Sequence, residues 1–210
     1  NPTPTAAAIA VDEPDDLLTT DGDRVSRLTR EADTALEEGR FEDAIRAYQA
    51  SLKLAPDSET THFNIAVAQA TLGRTNEAMA HYREAIRIAP DYAEAHNNLG
   101  NLLVRTGRAP DALPHFHEAV RINPQHATSH NNLGTALARV GRTPDALHAF
   151  ETAVALKPDY LEARFNLGTA LLQLRDRDAA RRQFEEILRI RPDFAPAQAG
   201  LRRALAAPPQ

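Results

Sequence analysis

Four asparagines, Asn64, Asn98, Asn132 and Asn166, recur 34 residues apart in this chain of 210 residues. A side-chain amide gives and accepts hydrogen bonds at once, so such a row can pair with peptide bonds without reading the side chains between them. Beside the row stand Asn97, Asn101, Asn131 and Thr135, the cations Arg105 and Arg139, and the rings Phe63 and Phe165. The competing use of the asparagines is internal: they can bond one another or the backbone and stiffen the chain. Other chemistry finds little support. His62, His96 and His130 also repeat every 34 residues, but packed helical units set their backbones roughly 10 Å or more apart. That is too far for shared zinc ligation at about 2 Å per bond. His115 and His117 lie two apart, so they do not face each other on a helix. The histidines therefore read as packing groups, and no metal is expected. There is no cysteine and little serine, so a nucleophile with a positioned base is hard to assemble. No glycine loop suits a phosphate. Neither catalysis nor a cofactor is expected.

These residues must be positioned by something periodic. Pro56, Pro90, Pro124, Pro158 and Pro192 keep the 34-residue spacing, as do Gly39, Gly73, Gly107 and Gly141. So do Ala44, Ala78, Ala112, Ala146 and Ala180, and the aromatics Tyr48, Tyr82, Phe116, Phe150 and Phe184. A fixed period of this size specifies stacked supersecondary units. Within residues 93–126, Leu99, Leu102 and Leu103 recur at helical spacing, which predicts a helix from Glu94 to Thr106. Gly107 suits its left-handed end, and Pro110 suits the first turn of a second helix. On that second helix Ala112, Phe116 and Ala119 form one buried stripe, and Pro124 ends it. Ala66, Gly100, Gly134 and Gly168 let the paired helices approach closely, while the aromatics are expected to fill wider gaps between hairpins. No period-2 run of useful length argues for strands.

This pattern resembles the tetratricopeptide repeat family: its order Leu-Gly, Ala, Phe/Tyr, Ala, Pro is matched by Leu99-Gly100, Ala112, Phe116, Ala119 and Pro124. It is matched again by Leu133-Gly134, Ala146, Phe150, Ala153 and Pro158. The resemblance implies an all-α fold, a right-handed α-α superhelical solenoid of five helical hairpins with a C-terminal capping helix. The units are expected at 25–58, 59–92, 93–126, 127–160 and 161–194, after a head at 1–24 and before a cap and tail at 195–210. In the cap, Leu201 and Leu205 are expected inward, with Arg202 and Arg203 outward. Departures fall at the ends: Glu31 replaces the apolar residue of later units, and Arg175 replaces the turn glycine. Leu28, His62, His96, His130 and Arg164 stand where the family has an early Trp.

The family's concave face is lined by the first helix of each unit. The asparagine row resembles the ladder of O-linked N-acetylglucosamine transferase repeats, which implies a groove gripping an extended peptide backbone. Asn64, Asn97, Asn98, Asn101, Asn131, Asn132, Thr135 and Asn166 would then line it, with Phe63 and Phe165 as apolar contacts. Arg105 and Arg139 would meet carboxylates. A family subtype that clamps chaperone C-termini is not matched, because Thr29, Asp33, Glu94 and Asn98 occupy the positions of its cations.

Formal charge is −5, but residues 1–23 carry six carboxylates and no base, leaving 24 basic against 23 acidic residues. A near-neutral body offers no footprint for a phosphate backbone, so nucleic acid is not an expected partner. The longest apolar run, Ala6 to Val11, is too short to span a bilayer. The head reads as a linker or as an arm that docks on another subunit or on the groove. The opening at Asn1 and the single Met79 suggest a processed chain or an excised fragment. Bacterial secretion or a periplasmic site followed by cleavage is one source, with the cytoplasm as the alternative. The expected function is a non-enzymatic scaffold binding a protein or peptide in its groove. The alternative is a structural subunit that associates with itself, end to end, into an oligomer or filament.

Overall fold

Thr20 and Asp23 close a capping box, each side chain accepting from the other's backbone N–H at 3.0–3.2 Å. This satisfies two amides that no helical turn can reach. It starts α1 at Asp21 in the computed structural model, which describes residues 20–206. Helix α1 (Asp21–Glu37) thus begins four residues ahead of the expected first unit, and the rest of the head, residues 1–19, lies outside the described residues. Ten further helices follow: α2 (Phe41–Leu54), α3 (Glu59–Thr71), α4 (Thr75–Ile88), α5 (Ala93–Arg105), α6 (Ala109–Ile122), α7 (Ala127–Arg139), α8 (Thr143–Leu156), α9 (Leu161–Gln173), α10 (Arg177–Ile190) and α11 (Ala195–Leu205). Among the described residues every regular element is helical.

The turn inside each pair has one design. Gly107 takes φ 79°, the N–H of Arg108 bonds the carbonyl of Leu103 at 2.8 Å, and that of Gly107 bonds Val104 at 3.1 Å. Two carbonyls left open at the end of α5 are satisfied this way, at a φ that suits a residue without Cβ. Arg175 adopts the same left-handed conformation, φ 64°, in the last pair, where a side chain raises its cost.

Consecutive helices pack as antiparallel pairs, each pair packs on the next, and α11 closes the stack against α10 and α9. The result is an all-α solenoid. Its core is the buried ring row Tyr48, Tyr82, Phe116, Phe150 and Phe184 with the alanines beside it. Each fully buried ring of this size contributes about 1.5–3 kcal/mol. Those rings lie closer to home than expected. A Cβ on Gly100 would sit 2.7 Å from Phe116, and one on Gly134 2.6 Å from Phe150, each within its own pair. Phe184 presses both on Gly168 of its own pair and on Gly200 of α11, where a Cβ would meet it at 2.6 Å. That contact rotates α11 away from the expected orientation. Ala197, Gly200 and Ala204 face inward, and Leu205 points outward at 62% exposure. A small-residue stripe docks on the ring, and of the two leucines expected inward Leu201 packs against the core, partly buried, whereas Leu205 does not.

Candidate functional site

From the third pair onward the first helices touch one another, α5 with α7, α7 with α9 and α9 with α11, while the second helices have no comparable mutual contact among the described residues. The first helices therefore form the inner, concave surface. Two clefts open on it. One, of about 320 Å³ between α3 and α5, is lined by Asn98, Asn101 and Arg105 over a floor that includes Tyr82. The other, of about 260 Å³ between α7 and α9, is lined by Thr135, Arg139, Asn166 and Gln173 over Phe150. Six of the twelve sequence-expected groove residues thus line inner clefts.

The asparagines divide their two ends. Asn64 donates Nδ2 to the Tyr48 hydroxyl at 3.0 Å, and Asn98 donates to the Tyr82 hydroxyl at 3.4 Å. Asn132 instead donates to Oδ1 of Asn97 at 3.0 Å, and Asn166 to Oδ1 of Asn131 at 2.9 Å. The switch follows the ring row: the first two pairs have a tyrosine hydroxyl to accept, while Phe116 and Phe150 have none. Asn97 and Asn131 supply the missing acceptor. They are buried at 7% and 0% exposure, and this corrects the expectation that they face the groove. Asn131 further donates to Glu162 at 3.2 Å and to Tyr160 at 3.4 Å, and Ser129 donates to Asn97 at 3.3 Å. The internal use of the amides is therefore real.

Phe63 and Phe165 are half-buried at the same position of their pairs. Phe63 stacks on Tyr92 with centroids 4.8 Å apart, and Phe165 meets Phe194 edge-on at 6.1 Å. Burial raises the Tyr82 hydroxyl to about 12. Tyr48 is raised too, first by burial and then by its bond to Asp33. Both phenols stay protonated and serve as fixed donors and acceptors.

The position of the family's Trp has a role the spacing did not disclose. Nε2 of His62, His96 and His130 bonds the carbonyls of Pro56, Pro90 and Pro124 at 3.0–3.2 Å. Arg164 reaches Pro158 at 2.6 Å, and Gln198 reaches Pro192 at 2.9 Å. Each residue satisfies the turn carbonyl six places earlier. Because Nε2–H donates there, Nδ1 is left as an acceptor. In two pairs it faces another imidazole Nδ1: His62 with His81 at 2.9 Å, and His96 with His115 at 3.1 Å. Their ring centroids, 5.1 and 5.4 Å apart, are separated by close to the N···N distance plus two ring radii. The nitrogens therefore meet head-on, as in a hydrogen bond rather than around an ion. Among the described residues no group of three or more His, Cys, Asp or Glu can hold a metal, and no helix is long and apolar enough to cross a membrane.

Several arginines of the second helices and their entry turns are paired at i,i+3, Arg108–Asp111 at 2.6 Å, Arg142–Asp145 at 2.7 Å, Arg87–Glu84 at 2.7 Å and Arg189–Glu186 at 3.1 Å, while Arg83 and Arg182 have no carboxylate partner among the described residues. On the inner face, neither Arg105 nor Arg139 has a carboxylate partner among the described residues.

Models of the tetratricopeptide repeat match residues 29–93 and 131–195, and a second such model matches 91–159. No curated protein sequence matches. Similar solved structures include YrrB, described as a tetratricopeptide repeat protein with an unusual peptide-binding site, at 22% identity and TM-score 0.75 over 83% of this chain and 90% of YrrB. A crystal structure of MamA matches at 23% identity and TM-score 0.74 over 90% of this chain and 100% of that one. MamA from Desulfovibrio magneticus RS-1, residues 41 to the end, matches at 20% and 0.77 over 84% and 99%. At these identities the structures speak for the fold alone.

Proposed function

The chain belongs to the tetratricopeptide repeat family, and from that premise we propose that this interaction scaffold holds an extended peptide along its concave face. The partner's carboxylates are drawn to the third and fourth pairs. The observation that carries this is the placement of two arginines: among the described residues Arg105 and Arg139 have no carboxylate partner, and each stands beside a cleft of the inner face. A cation of this kind gives a charge-assisted bond to a carboxylate. Asn166 turns its amide hydrogens into the stack, which leaves its carbonyl oxygen to accept from a peptide N–H, and Asn98 keeps one lone pair of a carbonyl oxygen that already accepts from Asn97 at 3.5 Å. Arg105, Arg139 and these oxygens together suit a backbone with an acidic side chain or a terminal carboxylate. The peptide-binding description of YrrB supports the same choice of ligand.

End-to-end self-association has weaker support, because the outer face of the first pair carries charge where an apolar surface would serve stacking. No nucleic-acid partner and no catalysis are proposed.

The test is selection of bound peptides from a random extended library, followed by titration of a winner against Arg105→Glu and Arg139→Glu. Each charge-assisted bond is worth about 1.5–3 kcal/mol, so each reversal should weaken binding roughly 10-fold or more, with unchanged helical circular dichroism. Equal affinity in both variants would sink the groove assignment.

A further inference from the structure

Among the described residues no pair precedes the first, and its outer face differs from the equivalent face of the others. In later pairs the position of Arg27 holds Thr61, Ala95, Ser129 and Ala163, all buried. The position of Glu31 holds Ile65, Leu99, Leu133 and Leu167, also buried. Arg27 and Glu31 themselves are exposed. With Arg30 of α1, Arg40 at the N-cap of α2 and Arg46 of α2, they line an open cleft of about 740 Å³. Asp43 pairs with both Arg40 and Arg46, and Glu38 also holds Arg40. Among the described residues, Arg27 and Arg30 have no carboxylate partner. The cleft is therefore a cationic surface at a place where a solenoid must be covered or capped.

We propose that Asp12, Glu13, Asp15 and Asp16 of this same chain occupy that cleft, so that the acidic head caps the N-terminal end of the solenoid. The charges are complementary: those four carboxylates fall within five residues, and residues 1–19 contain no Lys or Arg. The reach is sufficient. Asp16 and Asp12 precede Thr20 by four and eight residues, which span at most roughly 13–29 Å when extended. Arg27 and Arg30 lie about 9 and 14 Å along α1 from Asp21 at 1.5 Å per residue. The tether makes the encounter intramolecular, at an effective concentration on the order of millimolar. Exposed ion pairs are individually weak and screened by salt, so the cap is a salt-sensitive one that a stronger acidic competitor can displace.

The full chain has no cysteine, so Ala10→Cys can carry a single nitroxide, with amide signals of the helices as the readout. At low salt the signal of Arg46, which lies on α2 and away from the tether, should broaden. The broadening should be lost in high salt and in Arg27→Glu/Arg30→Glu, and should return when Asp12→Lys/Asp15→Lys is added to that variant. Both arginines are exposed, so the reversals leave the fold intact, which helical circular dichroism verifies. Broadening at Arg46 that ignores the charge reversals overturns the proposal. So does broadening that falls instead at Asn98 and Asn132, which would place the head in the groove. Broadening carried between separately labelled chains in a mixture overturns it too, in favour of a second copy.

Discussion

Asn132 donates its amide hydrogen to Oδ1 of Asn97 across 3.0 Å, from one pair's first helix to the preceding one. In the preceding step of the stack the same position, Asn98, donates to the hydroxyl of Tyr82. Asn97 therefore stands in for a hydroxyl that Phe116 lacks. Asn97→Phe leaves the Asn132 amide short of an acceptor and should destabilise by about 1–3 kcal/mol. Adding Phe116→Tyr recreates the Phe63/Tyr82 arrangement and should recover much of that. A double-mutant cycle in urea should show coupling of about 1 kcal/mol or more; simple additivity would refute the exchange of roles.

Tyr48 holds two partners, donating to Asp33 and accepting from Asn64, whereas Tyr82 has one longer bond, to Asn98. Tyr48→Phe should therefore cost about 1–3 kcal/mol and Tyr82→Phe distinctly less. Chemical denaturation of the two variants side by side decides it, and equal losses would contradict the bonding described.

Arg175 holds φ 64° where the four earlier turns have glycine. A left-handed conformation costs a residue with Cβ roughly 1–2 kcal/mol. Arg175→Gly should raise the thermal midpoint, with a gain of about 1 kcal/mol, and Gly107→Arg should lower it by a similar amount. A fall in midpoint for Arg175→Gly would show that its side chain matters more than its backbone.

His81 and His115 are held below the ordinary imidazole value, first by burial and then by His62 and His96 facing them. Because the folded value is depressed, the unfolded chain binds more protons as the pH falls. The stabilisation is thus complete above the unfolded value near pH 6.5 and is lost as acid protonates His81 and His115. The thermal midpoint should drop between about pH 7.5 and about pH 5.5. The slope should flatten in His81→Gln/His115→Gln, which copies Gln183 opposite Arg164. An unchanged slope in that variant would exclude the histidine pairs as its source.

Much of this was legible in the residues. Pro56 to Pro192, Gly39 to Gly141 and the ring row have local roles: ending a helix, reversing it, filling its buried stripe. A period therefore discloses them. The asparagine row was legible as a row, but its internal bonding was not. Whether Asn98 or Asn132 bonds a ring hydroxyl or another amide depends on Tyr82 or Phe116, which lie on a different helix. The histidine pairs escaped for a like reason. The period aligns His96 with His62 and His130 in neighbouring units, whereas its partner His115 lies 19 residues on, across the same hairpin.

The 34-residue period specifies an all-α solenoid of repeated hairpins, the positions of its turns and the identity of its core rings, because each follows from helical geometry within one period. Packing between helices settles which side chains look into the groove and which are used up in the stack. Asn97 and Asn131 went inward, Arg105 and Arg139 stayed without carboxylate partners among the described residues, and Leu205 was turned outward by Phe184 pressing on Gly200. Those outcomes depend on how neighbouring helices fill space and satisfy each other's polar groups, and no single period of residues contains both sides of such a contact.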